Sequence, residues 1–315
     1  MNKILPLALL ALGYQTASAQ LVTESFGTGA NAFTMDFVTI GNPNNAADTQ
    51  GIPNPAGSVA YAYNLGKYEV SRDQIDKANA AGSLGITLQD MSSYGGNGVN
   101  KPATEISWYE AATYVNWLNT STGGTAAYKF VGGTFQLWSS TDAGYNASNM
   151  FRNSLAKYVI ASSNEWYKGA YGNPNGSWSN FSNGSDSVPT AVPGGTAAST
   201  AVYGQLQQTG PADITDAGGL SVYGTMGQGG NVAEWNETAA DGSNNTASEL
   251  RILRGGAWVG GYGSLMAREA GNYSPSLEFH VWGFRVASVP EPSTGLLVVL
   301  GLSGLLLKRR KTGAV

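Results

Sequence analysis

The sequence predicts a loop-rich α+β chain of short helices and strands. Three observations lead there. Charged residues are only 12% of the 315, and 43 glycines stand among many Asn, Ser and Thr. The usual charged share is ~25%, and the residues that replace it here favour turns and loops. Eight Trp, 16 Tyr and a hydrophobic content of 42% provide a core and set the chain apart from a disordered one. Capping boxes mark the starts of three short helices.

Met1–Ala19 reads as a secretory signal peptide: Lys3 is the positive start, Ile4–Leu12 the apolar stretch, and Ala17-Ser18-Ala19 the small-x-small cleavage site. Phe33–Ile40 alternates as a strand does, with Phe33, Met35 and Phe37 against Thr34 and Asp36. Gly41–Gly57, rich in Pro, Asn and Gly, is a loop. Val59–Leu65 and Tyr68–Val70 read as a strand pair that turns near Asn64 to Lys67.

Ser71 with Gln74 starts a helix to about Ala81. Ser107 with Glu110 starts another to about Asn119, whose Trp108, Ala111, Ala112, Val115 and Leu118 share one face. Ser162 with Glu165 starts a third, which carries Trp166 and ends by Gly172. Phe181–Gly210 is low in complexity and reads as a long ordered loop.

Charge narrows the function. The whole chain has a formal charge of −4, but its basic residues concentrate at the two ends. Residues 20–290 hold 12 Lys+Arg against 20 Asp+Glu, a balance near −8, which excludes the basic footprint of a nucleic-acid binder. With no cysteine in the chain, disulfides, thiolate metal sites and thiol nucleophiles are excluded as well.

The C-terminus runs Val289-Pro290-Glu291-Pro292-Ser293, an apolar stretch Gly295–Leu307, then Lys308-Arg309-Arg310-Lys311. The apolar stretch is roughly 20 Å as a helix, short against a hydrocarbon core of ~30 Å. The basic cluster belongs on the cytoplasmic side. This end is similar to the PEP-CTERM sorting signal, with Pro290, Glu291 and Pro292 as its motif. The resemblance implies recognition by an exosortase-type sorting protease, cleavage near the motif, and release of an exported domain to the cell surface or extracellular polysaccharide.

Between the two ends, several motifs stand in a fixed order. They are Tyr68-Glu69-Val70-Ser71, Lys101–Ala111, Ile160–Trp166, Gly229-Gly230-Asn231-Val232-Ala233-Glu234-Trp235, Arg254-Gly255-Gly256-Ala257-Trp258 and Gly283-Phe284-Arg285-Val286-Ala287. Together they resemble the formylglycine-generating enzyme family, also called the sulfatase-modifying factor domain, across about Met35 to Ala287. The resemblance implies an α+β, C-type lectin-like fold, loop-rich with few helices and small twisted sheets. It also implies calcium held by the carbonyls of Gly230 and Val232 and the carboxylate of Glu234, a chemistry suited to Ca²⁺. Gly227 departs from the Asp or Asn usual three residues before Gly230. The family's oxidase uses two copper-binding cysteines. Their positions fall on Gly260 and Leu265, so neither copper nor oxidase activity is expected.

The motifs have physical readings too. Gly229-Gly230 permits a left-handed or closely approached backbone, and buried Arg254 and Arg285 need partners such as Glu234, Glu165 or carbonyls. Glu234 and Glu237 lie close in sequence, and His280 is the chain's one histidine. Tyr262, Met266 and Arg268 are the ligand-cleft candidates, with an equal reading as packing. The expected organisation is a signal peptide over 1–19, one domain over 20–288 and a sorting signal over 289–315. The expected function is a non-catalytic ligand- or glycan-binding module. An enzyme with cysteine-independent chemistry in the same cleft, or a structural surface protein, are the alternatives.

Overall fold

The structure, a computed structural model, describes residues 20–290. The expected signal peptide, Glu291, Pro292 and the apolar stretch 295–307 lie outside the described residues. Among those described, no helix is long and apolar enough to cross a membrane.

In chain order the elements are β1 (Leu21–Phe26), β2 (Phe33–Ile40), β3 (Tyr63–Gly66), α1 (Arg72–Gly82), α2 (Trp108–Ser121), β4 (Lys129–Val131), β5 (Thr134–Gln136), β6 (Tyr158–Ile160) and α3 (Ser163–Tyr171). Then follow β7 (Thr190–Ala191), β8 (Thr200–Ala201), β9 (Ala233–Ala239), β10 (Arg251–Arg254), β11 (Gly271–Tyr273), β12 (Trp282–Phe284) and β13 (Val286–Ser288). Two sheets organise them. One has five strands in the order β1-β2-β3-β13-β6, and the other four in the order β11-β10-β9-β12. The first is antiparallel throughout, whereas β9 and β12 run parallel.

The strand over Phe33–Ile40 forms as its alternation predicts. Phe33, Met35 and Phe37 turn into the core, and Thr34 stays exposed. Burial of each such side chain is worth about 1.5–3 kcal/mol. The second strand pair does not form as expected. Only Tyr63–Gly66 is a strand, and it pairs with β2 and β13 rather than with Tyr68–Val70. The Val70 N–H donates to Phe284 O, and the Ala103 N–H to Val70 O. Distant segments thus complete the backbone bonding that a local hairpin would have supplied, and buried backbone groups take whichever partners packing brings.

All three capping boxes close in both directions, at Ser71/Gln74, Ser107/Glu110 and Ser162/Glu165. In α2 the expected face of Trp108, Ala111, Ala112, Val115 and Leu118 is wholly buried. Asn119 closes that helix onto β6, its amide donating to Tyr158 O at 2.7 Å and accepting from Tyr158 N at 2.9 Å. The low-complexity stretch 181–210 is ordered and carries the parallel pair β7–β8, with Phe181 and Val202 buried.

Candidate functional site

Two polar clusters meet along β9 and the turns beside it, and a groove opens at the end of β10. The first is centred on Glu234. Its Oε1 accepts from Arg285 Nη2 at 2.6 Å, and its Oε2 accepts from Arg285 Nε and Trp166 Nε1, each at 2.6 Å. Parallel pairing of β12 with β9 sets Gly283 beside Glu234 and brings Arg285 within reach. The remaining guanidinium donors go to Gly66 O and Met226 O. All three side chains are fully buried.

Glu69 lies next to this pair. Its carboxylate accepts from Asn231 Nδ2 at 2.7 Å and from Val232 N at 3.3 Å. Burial, and then the charge of Glu234, push its pKa up to about 8. Gly227 faces Glu69 in a left-handed conformation (φ +77°), and a Cβ there would sit 3.0 Å from the Glu69 carboxyl carbon. Glu69 therefore fills the space that a side chain at 227 would need. Gly230 (φ +98°) has the same constraint, since a Cβ would meet Val202 O at 2.3 Å.

This geometry bears on the calcium expectation for Gly230, Val232 and Glu234, because both oxygens of the one carboxylate are bound by a guanidinium and an indole. A divalent cation at that carboxylate would lie against Arg285. Among the described residues no group of three His, Asp or Glu side chains is placed to hold a metal.

The second cluster was not legible in the sequence. Arg152 donates through Nε to Glu237 Oε2 at 2.7 Å and through Nη1 and Nη2 to Glu165 at 3.0 and 2.9 Å. Tyr128 Oη and Asn149 Nδ2 complete the shell of Glu237. Burial pushes the Glu165 carboxyl up, but Arg152 outweighs it and holds the pKa down to about 2. Glu234 and Glu237 are thus each locked to a different arginine and share no substrate space. No motif signals Arg152, since it becomes a partner only when β9 and α3 converge. His280 stacks on Tyr94 at 4.5 Å between ring centroids and meets Trp258 edge-on at 5.9 Å.

The third feature is an open groove of about 360 Å³ at the end of β10. Arg254, Gly256, Gly260, Ser264, Tyr273 and Trp282 are among the residues that line it. Tyr273 and Phe279 both pack on Trp282, at 4.5 and 4.6 Å between centroids, and remain 39% and 47% exposed. The three cleft candidates lie elsewhere. Tyr262 projects into solvent from a short 3-10 turn, 54% exposed. Met266 packs on the small Phe181, Ala201 and Leu265 cluster. Arg268 is exposed beside Glu269, at 4.0 Å. None of the three is among the residues that line this groove.

The decisive comparison is with protein families. Residues 28–289 match the Sulfatase-modifying factor enzyme 1-like domain, and residues 288–311 match the PEP-CTERM protein-sorting motif. The chain belongs to the sulfatase-modifying factor family. Among solved structures it is similar to Treponema denticola variable protein 1, with a TM-score of 0.60, 20% identity, and 85% of this chain and 99% of that one covered. It is similar to CarF, with a TM-score of 0.57 and 17% identity over 81% and 98%. PvdO from Pseudomonas aeruginosa gives 0.53 and 16% over 85% and 98%. These likenesses establish the loop-rich, C-type lectin-like α+β fold. Comparison with curated protein sequences finds no match.

Within this sulfatase-modifying factor domain, the expected cysteine positions have other uses. Gly260 forms part of the groove wall, and a Cβ on it would come within 2.8 Å of Ser264 Oγ. Leu265 is buried, and its carbonyl accepts from Tyr171 Oη at 3.0 Å. The domain carries the PEP-CTERM sorting motif of an exported protein.

Proposed function

We propose that this protein is an exported ligand-binding module, with glycans its first candidate ligand, that uses the groove at the end of β10 and performs no oxidase chemistry. The observation that carries this reading is the groove itself. It is open, it has Gly260 where a thiol would be needed, and its wall carries the partly exposed Tyr273 ring held against buried Trp282. Rigid aromatic rings at the edge of a concave site bind the C–H faces of sugars at low entropic cost.

The test is a ligand screen on the purified mature protein, glycans first, with hydrolysis and oxidation products followed by mass spectrometry. Saturable binding without product supports the module. Product formation would replace it with an enzyme of cysteine-independent chemistry, and neither result leaves a structural surface protein. A sulfatase-type cysteine peptide should remain unconverted with or without copper.

In the same reading the sorting motif directs the protein to an exosortase-type protease. The short apolar stretch 295–307 holds it in the inner membrane until cleavage near Pro290-Glu291-Pro292 releases it to the surface. The mismatch of a roughly 20 Å apolar helix with a ~30 Å core suits a transient anchor.

A further inference from the structure

The groove contains an unbalanced positive charge. Arg254 is only 2% exposed and lines it. Buried Arg152 and Arg285 each hold carboxylates. Arg254 instead donates to Ser163 Oγ at 3.1 Å and to the carbonyls of Glu269 and Ala267 at 3.2 and 3.5 Å, and its Nη2 has no acceptor. Its guanidinium carbon lies 5.2 Å from the Tyr167 ring. That contact favours the cation but does not neutralise it. Burial lowers its pKa to about 10.

A second feature of the same wall points the same way. Gly255 and Gly256 follow Arg254 with left-handed φ angles of +97° and +69°. The backbone N–H groups of Gly255, Gly256 and Ala257 donate to no protein acceptor among the described residues, and all three residues line the groove. Successive free N–H groups at a left-handed turn form a concavity suited to an anion, and buried donors require an acceptor. Glu269 is the one acidic residue of the lining. Its side chain is 53% exposed at the rim, where it disfavours a polyanion while leaving the floor positive.

We infer that the groove takes a sugar acid: one carboxylate of a uronic acid residue sits at the N–H groups of residues 255–257, with Arg254 as its buried counter-charge and the ring against Tyr273. This rests on the ligand-binding reading above and adds the ligand's charge. The acidic balance of the domain repels such a ligand at long range, so selectivity comes from short-range donors in a low-dielectric wall, where a charge-assisted hydrogen bond is strongest.

The experiment titrates the mature protein with methyl glucuronide and, separately, with methyl glucoside, which has the same ring without the charge. Calorimetry and backbone amide NMR are the readouts. The glucuronide should bind about tenfold more tightly, as one additional charged contact implies, and should shift the amide signals of Gly255, Gly256 and Ala257. Arg254→Gln should remove the preference and Arg254→Lys keep it. The native-protein NMR does not depend on either variant folding. Equal affinities, or glucuronide binding that leaves those three amides unmoved, would overturn the inference while the binding module stands. If neither sugar binds, the inference falls, and the broader glycan screen decides the module separately.

Discussion

Arg285 and Glu234 form a fully buried ion pair at 2.6 Å, at the point where the parallel strands β9 and β12 meet. The pair joins two motifs separated by 51 residues and, through Trp166, a third. Breaking a buried pair leaves an uncompensated charge, which costs more than the intact pair contributes. Glu234→Ala should therefore destabilise the protein by about 3–5 kcal/mol in denaturant unfolding. Calcium should leave the melting temperature of the native protein unchanged relative to chelator. A rise with Ca²⁺ that disappears in Glu234→Ala would restore the calcium reading through ligand linkage.

Glu69 makes stability depend on pH in a definite direction. Its carboxyl is raised from 4.5 to about 8 by burial and by Glu234. Between those values the native state holds a proton that the unfolded chain has released, so stability falls as pH rises from about 4.5 to 8. Glu165 acts in the opposite sense. Its depressed carboxyl contributes stability above pH 4.5 that is lost as pH falls toward 2. Unfolding measured across pH should show a maximum near the start of the Glu69 window. Glu69→Gln should flatten the alkaline decline, recovering about 1–3 kcal/mol at pH 8. An unchanged slope would assign the decline to another group.

Two tyrosines close in sequence should behave differently in the ligand assay. Tyr273 lines the groove against Trp282, and Tyr262 faces solvent. Replacing Tyr273 with Ala should weaken binding about tenfold, the usual scale for an aromatic anchor, whereas Tyr262→Ala should alter it by less than about twofold. Equal losses from the two variants would mean that the binding surface extends over the 262–265 turn.

The sorting motif makes a prediction that intact mass can decide. Native protein from the surface or extracellular fraction should begin near Gln20 and lack Lys308–Lys311. A chain that retains the basic tail would be a permanently anchored protein. Substitution of Glu291 should cause the uncut form to accumulate in the membrane, and normal processing of that variant would remove Glu291 from the recognition.

Local signals carried the most information in this chain. Capping boxes at Ser71, Ser107 and Ser162, the alternation of Phe33–Ile40 and the apolar face of α2 each depend on residues a few positions apart, and each forms as its pattern predicts. The ordered motifs likewise identified the family and the sorting tail. Glycine spacing even located a constrained backbone at Gly230.

Tertiary structure decided the partners. Tyr63–Gly66 pairs with β2 and β13 because those strands arrive from elsewhere in the chain. Arg152 finds Glu165 and Glu237 only across the convergence of α3 and β9. The carboxylate of Glu234 suits a cation by type, yet it is already neutralised by Arg285. Arg254 and Tyr273 come together at a common groove wall that does not include Tyr262, Met266 or Arg268. Capping and periodicity are satisfied within one or two turns of chain, so sequence alone determines them. The charge state of the Glu234 carboxylate depends on Arg285, 51 residues away, and the groove lining on segments spread from Ala233 to Trp282, and these meet only when the core closes.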